Sequence, residues 1–309
     1  MKIYKEIKNL KGELKRPILT IGNFDGVHLG HQAILKKIVS RAKEAGGRSI
    51  VFTFEPHPLK VIAPDKDIRL ITSCDEKTRL LEDADVDAVI CANFTKEFAE
   101  QNPDDFARDV LHKKINVFEV YVGHDYAFGK GREGTISHLK ELGKRYSFYV
   151  GVIEPVVIDD AVVSSSRIRR MILDGDVDNA ARLLGRNYTL TGMVVEGAGR
   201  GRKLGFPTAN IELPSELIPM DGVYAVKVKS GGRIYDGVAN IGNKPTFKNE
   251  GFGVEAFLFD FNGNLYNERL EIEFVKKIRD EKAFKNAEEL ITHMKDDVSS
   301  AKEILSLRG

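Results

Sequence analysis

TIGNFDGVHLGHQAIL, residues 20–35, is the stretch that decides the fold of the N-terminal half of the chain. An apolar, strand-like run ends there and a helix-like run begins, with a glycine-rich loop between them. Such a loop lets the backbone turn tightly, and the start of the following helix offers N–H groups and a positive dipole to an anion. His28 and His31 lie next to that helix start. The local pattern allows a metal site, a pair of core histidines or a phosphate site.

The setting of the two histidines favours the phosphate site. An i, i+3 pair lies on one face of a helix, where both rings are able to donate hydrogen bonds to phosphate oxygens. A metal site needs a third ligand and usually a fourth, and no cluster of cysteine, histidine or aspartate with ligand spacing lies nearby. An isolated pair is by default read as core or surface histidines, but the glycines and the strand-to-helix setting outweigh that interpretation.

The composition is that of an ordinary globular protein with room for two hydrophobic cores. The chain has 309 residues, and 47 basic against 46 acidic side chains leave a formal net charge of +1. No global positive field therefore attracts nucleic acid or anionic lipid. No apolar run approaches the roughly 18 residues of a membrane span, and the sequence opens without the apolar core of a signal peptide. Because Cys74 and Cys91 are the only cysteines, we expect reduced thiols and a cytoplasmic location.

In the first half of the chain, short apolar runs alternate with helical patterns. PILTIG, SIVFTF, DAVICANF and FEVYVG are rich in Val, Ile and Phe and have turn residues at their ends, which is typical of buried strands. HQAILKKIVSRAKEAGG ends in Gly46 and Gly47, and NPDDFARDVLHKKI opens with Pro103, so both predict helices. The alternation predicts a Rossmann-like α/β domain with a mainly parallel sheet and helices on both faces. Ligands bind such sheets at the carboxyl ends of the strands.

From Tyr188 onward the pattern changes to strands without helices between them. YTLTGMVVEG, GVYAVKVKS, RIYDGVANIG, GVEAFLFDF and LEIEFVKKI follow one another through turns such as SGGR and NGN, which predicts a small antiparallel β-barrel. A closing helix over residues 286–306 is predicted to pack on that barrel. Its apolar face consists of Leu290, Ile291, Met294, Val298, Ala301 and Leu305. The change of class predicts two domains, 1–186 and 187–309.

Motifs of the first domain resemble those of a known superfamily. GNFDGVHLGH resembles the His-x-Gly-His signature of nucleotidyltransferases, which activate or transfer the AMP part of ATP. VVSSSRIRRMI, residues 162–172, resembles a second signature of that superfamily, a serine-rich turn that leads into a helix with an arginine. FTFEPHPLKV and VGHDYAFGKGREG lie between them. With all four runs, the domain resembles the FMN adenylyltransferase module of bacterial bifunctional riboflavin kinase/FAD synthetases.

This resemblance implies a set of site residues in the first domain. The catalytic residues are expected to be His28, His31, Arg167 and Arg169, which stabilise charge during adenylyl transfer. The ATP-binding residues are expected to be Gly22, Asn23, Phe24, Asp25, Gly26, His28, His31, Ser164, Ser165, Ser166 and Arg167. The pocket for flavin and nucleotide is expected to include Pro56, His57, Pro58, Gly123, Asp125, Tyr126, Phe128 and Gly129. Judged without the family, Phe128 is a core aromatic and the serines are ordinary helix caps.

A glycine-rich, basic loop opens the second domain. EGAGRGRKLGFPTANIELP, residues 196–214, places glycines and basic residues before a Pro-Thr-Ala-Asn turn. Such loops bind phosphates through backbone N–H groups, although the Gly-Lys-Ser/Thr ending of a Walker loop is absent. The run resembles the riboflavin kinase signature, in which this turn binds Mg–ATP, so Thr208 and Asn210 are the expected Mg²⁺ ligands. The expected ATP-binding residues of this domain are Gly199, Gly201, Lys203, Gly205, Pro207, Thr208 and Asn210.

Three further runs continue the resemblance to riboflavin kinase. GVANIGNKPTF includes Asn240 and KKIRDEKAF includes Arg279, and the resemblance implies flavin contacts at both. VEAFLFDFNGNLYNERLEIEF places Glu255 at the family's catalytic carboxylate, where we expect it to act as the general base. Judged without the motif, a strand glutamate such as Glu255 is more often a solvent-facing carboxylate.

The resemblance spans most of the chain and predicts a bifunctional enzyme of flavin cofactor synthesis. With Mg²⁺ as cofactor, the C-terminal domain is expected to phosphorylate riboflavin with ATP, giving FMN and ADP. The N-terminal domain is expected to adenylylate FMN with a second ATP, giving FAD and pyrophosphate. Two alternatives stay open: a flavin-binding or regulatory protein that has lost catalysis, and another nucleotidyltransferase with a His-x-Gly-His signature. An aminoacyl-tRNA synthetase fragment is disfavoured, since the chain has neither a Lys-x-Ser-Lys run nor a basic excess.

Overall fold

The structure, a computed structural model, describes residues 1–7, 10, 14–196, 206–213, 217–243 and 252–307. The contacts between residues divide the chain into two compact units, Met1–Ser164 and Ser165–Gly309. Within the described residues, no helix has both the length and the apolar character needed to cross a membrane.

The first unit is built on a six-stranded sheet whose neighbouring strands all run parallel, in the order β1-β4-β3-β2-β5-β6. Its strands are β1 (Lys2–Tyr4), β2 (Pro17–Ile21), β3 (Arg48–Glu55), β4 (Ala88–Asn93), β5 (Glu119–Gly123) and β6 (Tyr149–Ile153). A short antiparallel ribbon, β7 (Val157–Ile158) and β8 (Ala161–Val162), follows the sheet. The predicted parallel α/β architecture is confirmed.

Helices cover both faces of this sheet, as predicted. They are α1 (Leu29–Ala45), α2 (Pro58–Ile62), α3 (Cys74–Asp83), α4 (Lys96–Ala99), α5 (Pro103–Asp105), a π-helix (Phe106–Ile115), a 3₁₀-helix (Lys130–Arg132) and α6 (Ile136–Tyr146). Alternate strand residues face opposite sides: Ile18 packs with α1 and α3, whereas Leu19 packs with the π-helix and α6. The helix predicted to open at Pro103 is present, and most of it has π-helical hydrogen bonding.

The order of the strands determines where a ligand site is expected. β2 lies between β3 and β5, and the direction in which the sheet grows reverses at this point. In open parallel sheets, ligands bind in the crevice outside the carboxyl ends of the strands at such a switch. The GNFDGVHLGH loop follows β2 and the VGHDYAFG run ends β5. Topology thus brings these two predicted motifs to the same edge of the sheet.

The second unit contains two helices, a closed six-stranded antiparallel barrel and a final helix. The helices are α7 (Ser165–Leu173) and α8 (Val177–Leu184) before the barrel, and α9 (Ala287–Ser306) after it. The barrel consists of β9 (Tyr188–Val195), β10 (Ala209–Glu212), β11 (Gly222–Ser230), β12 (Arg233–Asn243), β13 (Phe252–Leu258) and β14 (Arg269–Arg279), in the order β10-β13-β12-β11-β14-β9. The predicted barrel and closing helix are confirmed.

One element of the barrel was predicted wrongly. The Pro-Thr-Ala-Asn run, expected as a turn, leads directly into the short strand β10, which includes Ala209 and Asn210. β10 pairs with β13 on one side and β9 on the other and so closes the barrel. Its backbone hydrogen bonds go to segments distant in sequence, which is why a local turn signal did not reveal a strand.

The two compact units do not divide the chain where the change of sequence pattern predicts. α8 packs against β9 and β14, so the helices after Ser164 group with the barrel by their contacts. The prediction of a boundary after residue 186 came from the switch between helix-rich and strand-rich sequence, whereas the contacts follow packing. The division into domains 1–186 and 187–309 stays a prediction about functional modules.

Candidate functional sites

The loop after β2 has the tight backbone that its glycines suggest. Phe24, Gly26 and Val27 have φ angles of 51°, 83° and 39°, in the left-handed region that non-glycine residues seldom adopt. Phe24 is only 1% exposed and packs in the hydrophobic core beneath the loop. The loop is therefore held in one unusual conformation by a buried aromatic anchor.

Asp25 holds the same loop from the inside. Its carboxylate is 4% exposed, and Oδ1 accepts hydrogen bonds from the backbone N–H groups of Ile71 (2.9 Å) and Thr72 (3.2 Å). The N–H of Gly26 donates to Oγ1 of Thr72 across 3.1 Å. These bonds give Asp25 a role in shaping the loop. Direct contact of Phe24 or Asp25 with ATP stays a prediction.

His28 is the N-cap of α1. Its Nδ1 accepts a hydrogen bond from the backbone N–H of His31 across 3.4 Å, and the side chain is 6% exposed. Because Nδ1 is the acceptor, the neutral ring carries its proton on Nε2. The geometry thus makes Nε2 of His28 a hydrogen-bond donor at the start of a helix, where an anion is favoured.

His31 stacks between two other rings. Its centroid lies 3.7 Å from that of His28 with the planes 19° apart, and 5.0 Å from that of Phe24. Burial lowers the pKa of His31 well below its usual 6.5, and electrostatic interactions with His28 and Lys77 lower it further. His31 is therefore neutral at physiological pH. Its Nδ1 is buried and has no hydrogen-bond partner within the described residues.

Gly30 lies close against the imidazole ring of His28. A Cβ atom at this position would lie 3.1 Å from Cε1 and 3.2 Å from Nδ1 of His28, and 3.7 Å from the carbonyl oxygen of Val163. Val163 directly precedes Ser164, which ends the first compact unit. Ser165, Ser166, Arg167 and Arg169 belong to α7 in the second unit, so their ATP contacts stay predictions.

Thr53 and Lys77, which were not predicted from the sequence, hold this loop in place. The carbonyl oxygen of Asn23 accepts hydrogen bonds from Oγ1 of Thr53 (3.2 Å) and from Nζ of Lys77 (3.3 Å). Lys77 comes from α3 and is only 8% exposed. Nothing in its strongly charged helix, CDEKTRLLED, distinguishes it from a solvated surface lysine. Only the packing of α3 brings its ammonium group to the loop.

The predicted flavin pocket residues follow β3 and β5. His57 is 8% exposed and caps α2, since its Nδ1 accepts a hydrogen bond from the N–H of Leu59 across 3.2 Å. The peptide bond before Pro56 is cis, and Pro58 is the first residue of α2. Gly123 ends β5, and Asp125 after it is exposed. These residues surround the carboxyl end of the sheet, where the switch point places a ligand.

An aromatic cluster lies at the same end of the sheet. Tyr126 stacks on Phe128 with centroids 5.7 Å apart and planes 15° apart, and Phe128 is buried in the core at 7% exposure. The cluster continues through tilted and edge-to-face contacts among Phe52, Phe54, Phe94, Phe98 and Phe106. The half-buried members Phe54, Phe98 and Tyr126 offer an apolar surface suited to a flat ring. Of these rings, only Tyr126 and Phe128 were predicted to line the pocket, because the other phenylalanines have the pattern of ordinary core residues.

The second site is a row of polar side chains across three strands of the barrel. Glu255 on β13 pairs with Asn210 on β10 and with Asn240 on β12, so all three lie side by side on one face. Oγ1 of Thr208 donates a hydrogen bond to Oε2 of Glu255 across 3.2 Å. Glu255 is half-buried rather than a freely solvated strand carboxylate. Residues predicted to hold metal, phosphate and flavin and to act as base are thus brought together.

A cleft opens beside Thr208. It is open to solvent and lies between β9, β10, β13 and the segment after β13. Its lining consists of Val194, Pro207, Thr208, Ala209, Ala256, Leu258, Phe261, Gly263, Asn264, Leu265 and Tyr266. The cleft includes two of the predicted ATP-binding residues, Pro207 and Thr208. The other predicted phosphate-loop residues, Gly199, Gly201, Lys203 and Gly205, lie outside the described residues.

Arg279 is held by the closing helix. Its Nε and one terminal nitrogen donate to the two carboxylate oxygens of Asp297, both across 2.8 Å, and its guanidinium lies 5.6 Å from the centre of the Phe284 ring. Asp297 is only 6% exposed. The predicted contact of Arg279 with flavin stays a prediction, and the structure places this side chain against α9.

The oxygen donors of the barrel site are of the kind that Mg²⁺ prefers. A hydroxyl, an amide oxygen and a carboxylate come together at Thr208, Asn210 and Glu255. Mg²⁺ in nucleotide sites keeps several waters and phosphate oxygens and needs only one or two protein ligands. Within the described part of the chain, no group of three His, Cys, Asp or Glu side chains forms a metal cage. The donor set fits a Mg²⁺ ion carried by a nucleotide.

Both halves of the chain match described protein families. A family model described as FAD synthetase matches residues 10–167, and one described as riboflavin kinase matches residues 184–305. The bifunctional riboflavin kinase/FMN adenylyltransferase of Haemophilus influenzae is 38% identical over 307 residues, which cover 98% of each chain. The protein of the same name from Buchnera aphidicola subsp. Schizaphis graminum is 34% identical over 311 residues, covering 99% of this chain and all of the relative.

A solved structure shares the fold over nearly the whole length. It is that of a protein named as a macrolide-efflux protein, from Streptococcus pneumoniae. It is 31% identical and covers 97% of this chain and 98% of its own with a TM-score of 0.89. The similarity extends through both compact units.

Proposed function

Because the chain belongs to the family of bifunctional riboflavin kinase/FMN adenylyltransferases, we propose that it converts riboflavin to FMN and FMN to FAD. The observation that carries the proposal is that each compact unit contains its own polar site, built around the residues of one family motif. The name of the Streptococcus protein suggests efflux, but the family models that match both halves of the chain describe transferases.

In the barrel, the reaction is transfer of the γ-phosphoryl group of ATP to the 5′-hydroxyl of riboflavin, with release of ADP. Glu255 accepts the hydroxyl proton as the O–P bond forms. The hydrogen bond from Thr208 orients the carboxylate for this task. Thr208 and Asn210 would hold Mg²⁺, which supplies charge neutralisation of the phosphates when bound. Pro207 and the cleft beside it are the proposed location of the nucleotide.

The flavin ring is proposed to lie on the barrel face that carries Glu255 and Asn240. Two residues further along the strands, Val238 and Phe257 on the same face pack against α9. The half-exposed apolar side chains in the first half of α9 provide contact area for an isoalloxazine ring. They are Leu290, Ile291 and Met294. Asn240 and Arg279 are the proposed polar flavin contacts.

In the first unit, an oxygen of the FMN phosphate attacks the α-phosphorus of ATP, the bond to the β-phosphate oxygen breaks, and pyrophosphate leaves. The attacking phosphate is already ionised at neutral pH, so positioning and charge stabilisation carry the rate. Nε2–H of His28, the ring of His31 and the N–H groups at the start of α1 donate to the phosphates. Asn23, Ser164 and the α7 residues Ser165, Ser166, Arg167 and Arg169 are further proposed contacts, supported by the family resemblance.

The aromatic cluster is the surface on which we propose that the FMN ring binds in this unit. Its half-buried members lie at the carboxyl ends of β3, β4 and β5, beside His57 and Gly123. Flat rings pack on such surfaces by offset or edge contacts. We also propose a cytoplasmic location, since both Cys74 and Cys91 are free thiols.

The test is to incubate the full chain with riboflavin, ATP and Mg²⁺ and to separate the flavins over time. We expect FMN first and FAD later. A protein carrying both His28→Ala and His31→Ala should still form FMN but no FAD. If the folded wild-type protein binds riboflavin but forms neither product, the alternative of a flavin-binding protein without catalysis replaces this proposal. If it forms only FAD from added FMN, the kinase half is wrong.

A further inference from the structure

Lys77 is a buried cation that the family motifs do not account for. It lies in the second turn of α3, far in sequence from the His-x-Gly-His loop, and only 8% of it is exposed to solvent. Its Nζ donates one hydrogen bond, to the carbonyl oxygen of Asn23 across 3.3 Å. Asn23 belongs to the loop between β2 and α1. The lysine thus reaches the phosphate loop from a separate helix.

This ammonium group forms no ion pair with a carboxylate among the described residues. Its hydrogen bond there goes to a neutral carbonyl. Burying an ammonium group costs several kcal/mol unless an anion and further hydrogen bonds compensate. A lysine whose only purpose is to brace a loop does not need to carry a buried positive charge, since a neutral donor serves equally well.

The surroundings of Lys77 are those of an anion site. Its positive charge acts on His31 strongly enough to help lower the pKa of that imidazole. His31 and His28 stack next to the start of α1, where N–H groups and the helix dipole also favour an anion. A phosphate bound there would neutralise the ammonium, which no carboxylate pairs with among the described residues.

We propose that Lys77 binds the polyphosphate of ATP in the adenylyltransferase site, as a positive charge held at the Asn23 end of the loop that carries the two histidines. This assignment rests on the proposed FAD-forming activity. Lysine suits the role because its ammonium is a compact point charge with three donors, one of which Asn23 already fixes. The ammonium group has two further N–H donors, enough to bind oxygens of the ATP phosphates and of the pyrophosphate product.

The test compares Lys77→Met, Lys77→Arg and the wild-type chain in FAD formation from FMN and ATP. Methionine keeps the length of the side chain and removes the charge, so KM for ATP should rise roughly tenfold to a hundredfold. Inhibition by pyrophosphate should weaken by a similar factor, while KM for FMN changes little. Arginine should recover most of the loss. Lys36→Met, an exposed position on α1, is the matched control and should behave as wild type.

Phosphorylation of riboflavin by the same preparations serves as the internal check on folding and should be unaffected. Wild-type KM for ATP and wild-type pyrophosphate inhibition in Lys77→Met would overturn the proposal. It would also fail if Lys77→Arg were as impaired as Lys77→Met, or if KM for FMN rose as much as KM for ATP, since both results indicate a structural brace.

The proposal remains testable if the wild-type chain forms no FAD at all. In that case the proposed function has failed, and calorimetric titration with pyrophosphate tests the lysine directly. Weaker pyrophosphate binding by Lys77→Met than by wild type and Lys36→Met supports the anion site, and equal binding by all three overturns it.

Discussion

The hydroxyl of Thr208 donates a hydrogen bond to Oε2 of Glu255 across 3.2 Å, although 47 positions separate the two residues in the chain. The pairing of β10 with β13 brings them together and adds Asn210 beside Glu255. A carboxylate fixed in this way has a defined orientation before any substrate arrives. Preorganised groups of this kind contribute to catalysis through geometry.

Glu255→Gln should abolish most of the phosphorylation of riboflavin. The amide keeps the size of the side chain and removes the proton acceptor, so the rate should fall roughly a hundredfold to ten-thousandfold. FAD formation from added FMN should continue at the wild-type rate, because Glu255 is not among the residues proposed for adenylyl transfer. Both rates are measured by separating the flavins in timed samples.

Glu212→Gln is the matched control for Glu255→Gln. Glu212 ends β10 and is exposed, so the same chemical change there should leave both reactions intact. If Glu255→Gln kept full kinase activity, or if it abolished both reactions in a folded protein, the assignment of Glu255 as the base would be wrong.

Gly30→Ala should impair FAD formation selectively. The added Cβ would lie 3.1 Å from Cε1 of His28, a tight contact that requires the imidazole to shift by a few tenths of an ångström. Since a displacement of a full ångström costs roughly a hundredfold in rate, this smaller shift of a proposed phosphate ligand should cost up to about tenfold. We expect that loss in kcat for FAD formation, with FMN formation unchanged. Equal loss of both activities would point to a general folding defect instead.

The depressed pKa of His31 predicts a specific dependence of stability on pH. The unfolded chain takes up a proton on this histidine near pH 6.5, whereas the folded protein resists it because of burial, His28 and Lys77. The corresponding stability is fully present above pH 6.5 and decreases as the pH falls below that value. His31→Gln lacks this titration. The melting temperature of wild type relative to His31→Gln should therefore fall between about pH 7.5 and about pH 5.5, and parallel curves would contradict the prediction.

Asp297→Ala should destabilise the barrel unit. The Asp297 side chain is 8% exposed and accepts two hydrogen bonds from Arg279. Its removal leaves the guanidinium of Arg279, which is 26% exposed, without this carboxylate. Breaking one partner of such a largely buried pair costs about 3 kcal/mol. The free energy of unfolding is measured by urea denaturation of the full chain, following the transition that includes loss of the barrel.

Asp280→Asn provides the contrast for this measurement. Asp280 pairs with Lys277 but is 86% exposed, and such solvent-screened surface pairs contribute little to stability. The backbone carbonyl of Asp280, which accepts from Arg279, is unchanged by the substitution. If the two changes lowered the free energy of unfolding equally, burial of Asp297 would not increase the contribution of its ion pair to stability.

Much of the first unit was predictable because its signals are local. The loop of residues 22–28 follows a buried strand and precedes an amphipathic helix. That helix, α1, is capped at its C-terminus by Gly46, whose φ of 60° fits the helix end predicted from Gly46 and Gly47. The roles of Asp25 and His57 were not visible in the sequence. Both side chains hold backbone N–H groups, Asp25 those of a segment 46 and 47 positions away. A motif shows which residues take part, but not which of them shape the site.

The sequence by itself determined the alternation of strands and helices in the first half, the run of strands after Tyr188, the two classes of domain and the places of the His-x-Gly-His and Pro-Thr-Ala-Asn motifs. Spacing and turn chemistry act between near neighbours, so they can be recognised along the chain. Only the tertiary structure decided that the Pro-Thr-Ala-Asn run enters a strand, that Asp297 is buried against Arg279, and that Lys77 reaches Asn23. Strand pairing and the burial of a charge depend on segments far apart in sequence, where hydrogen bonding and desolvation outweigh local preference.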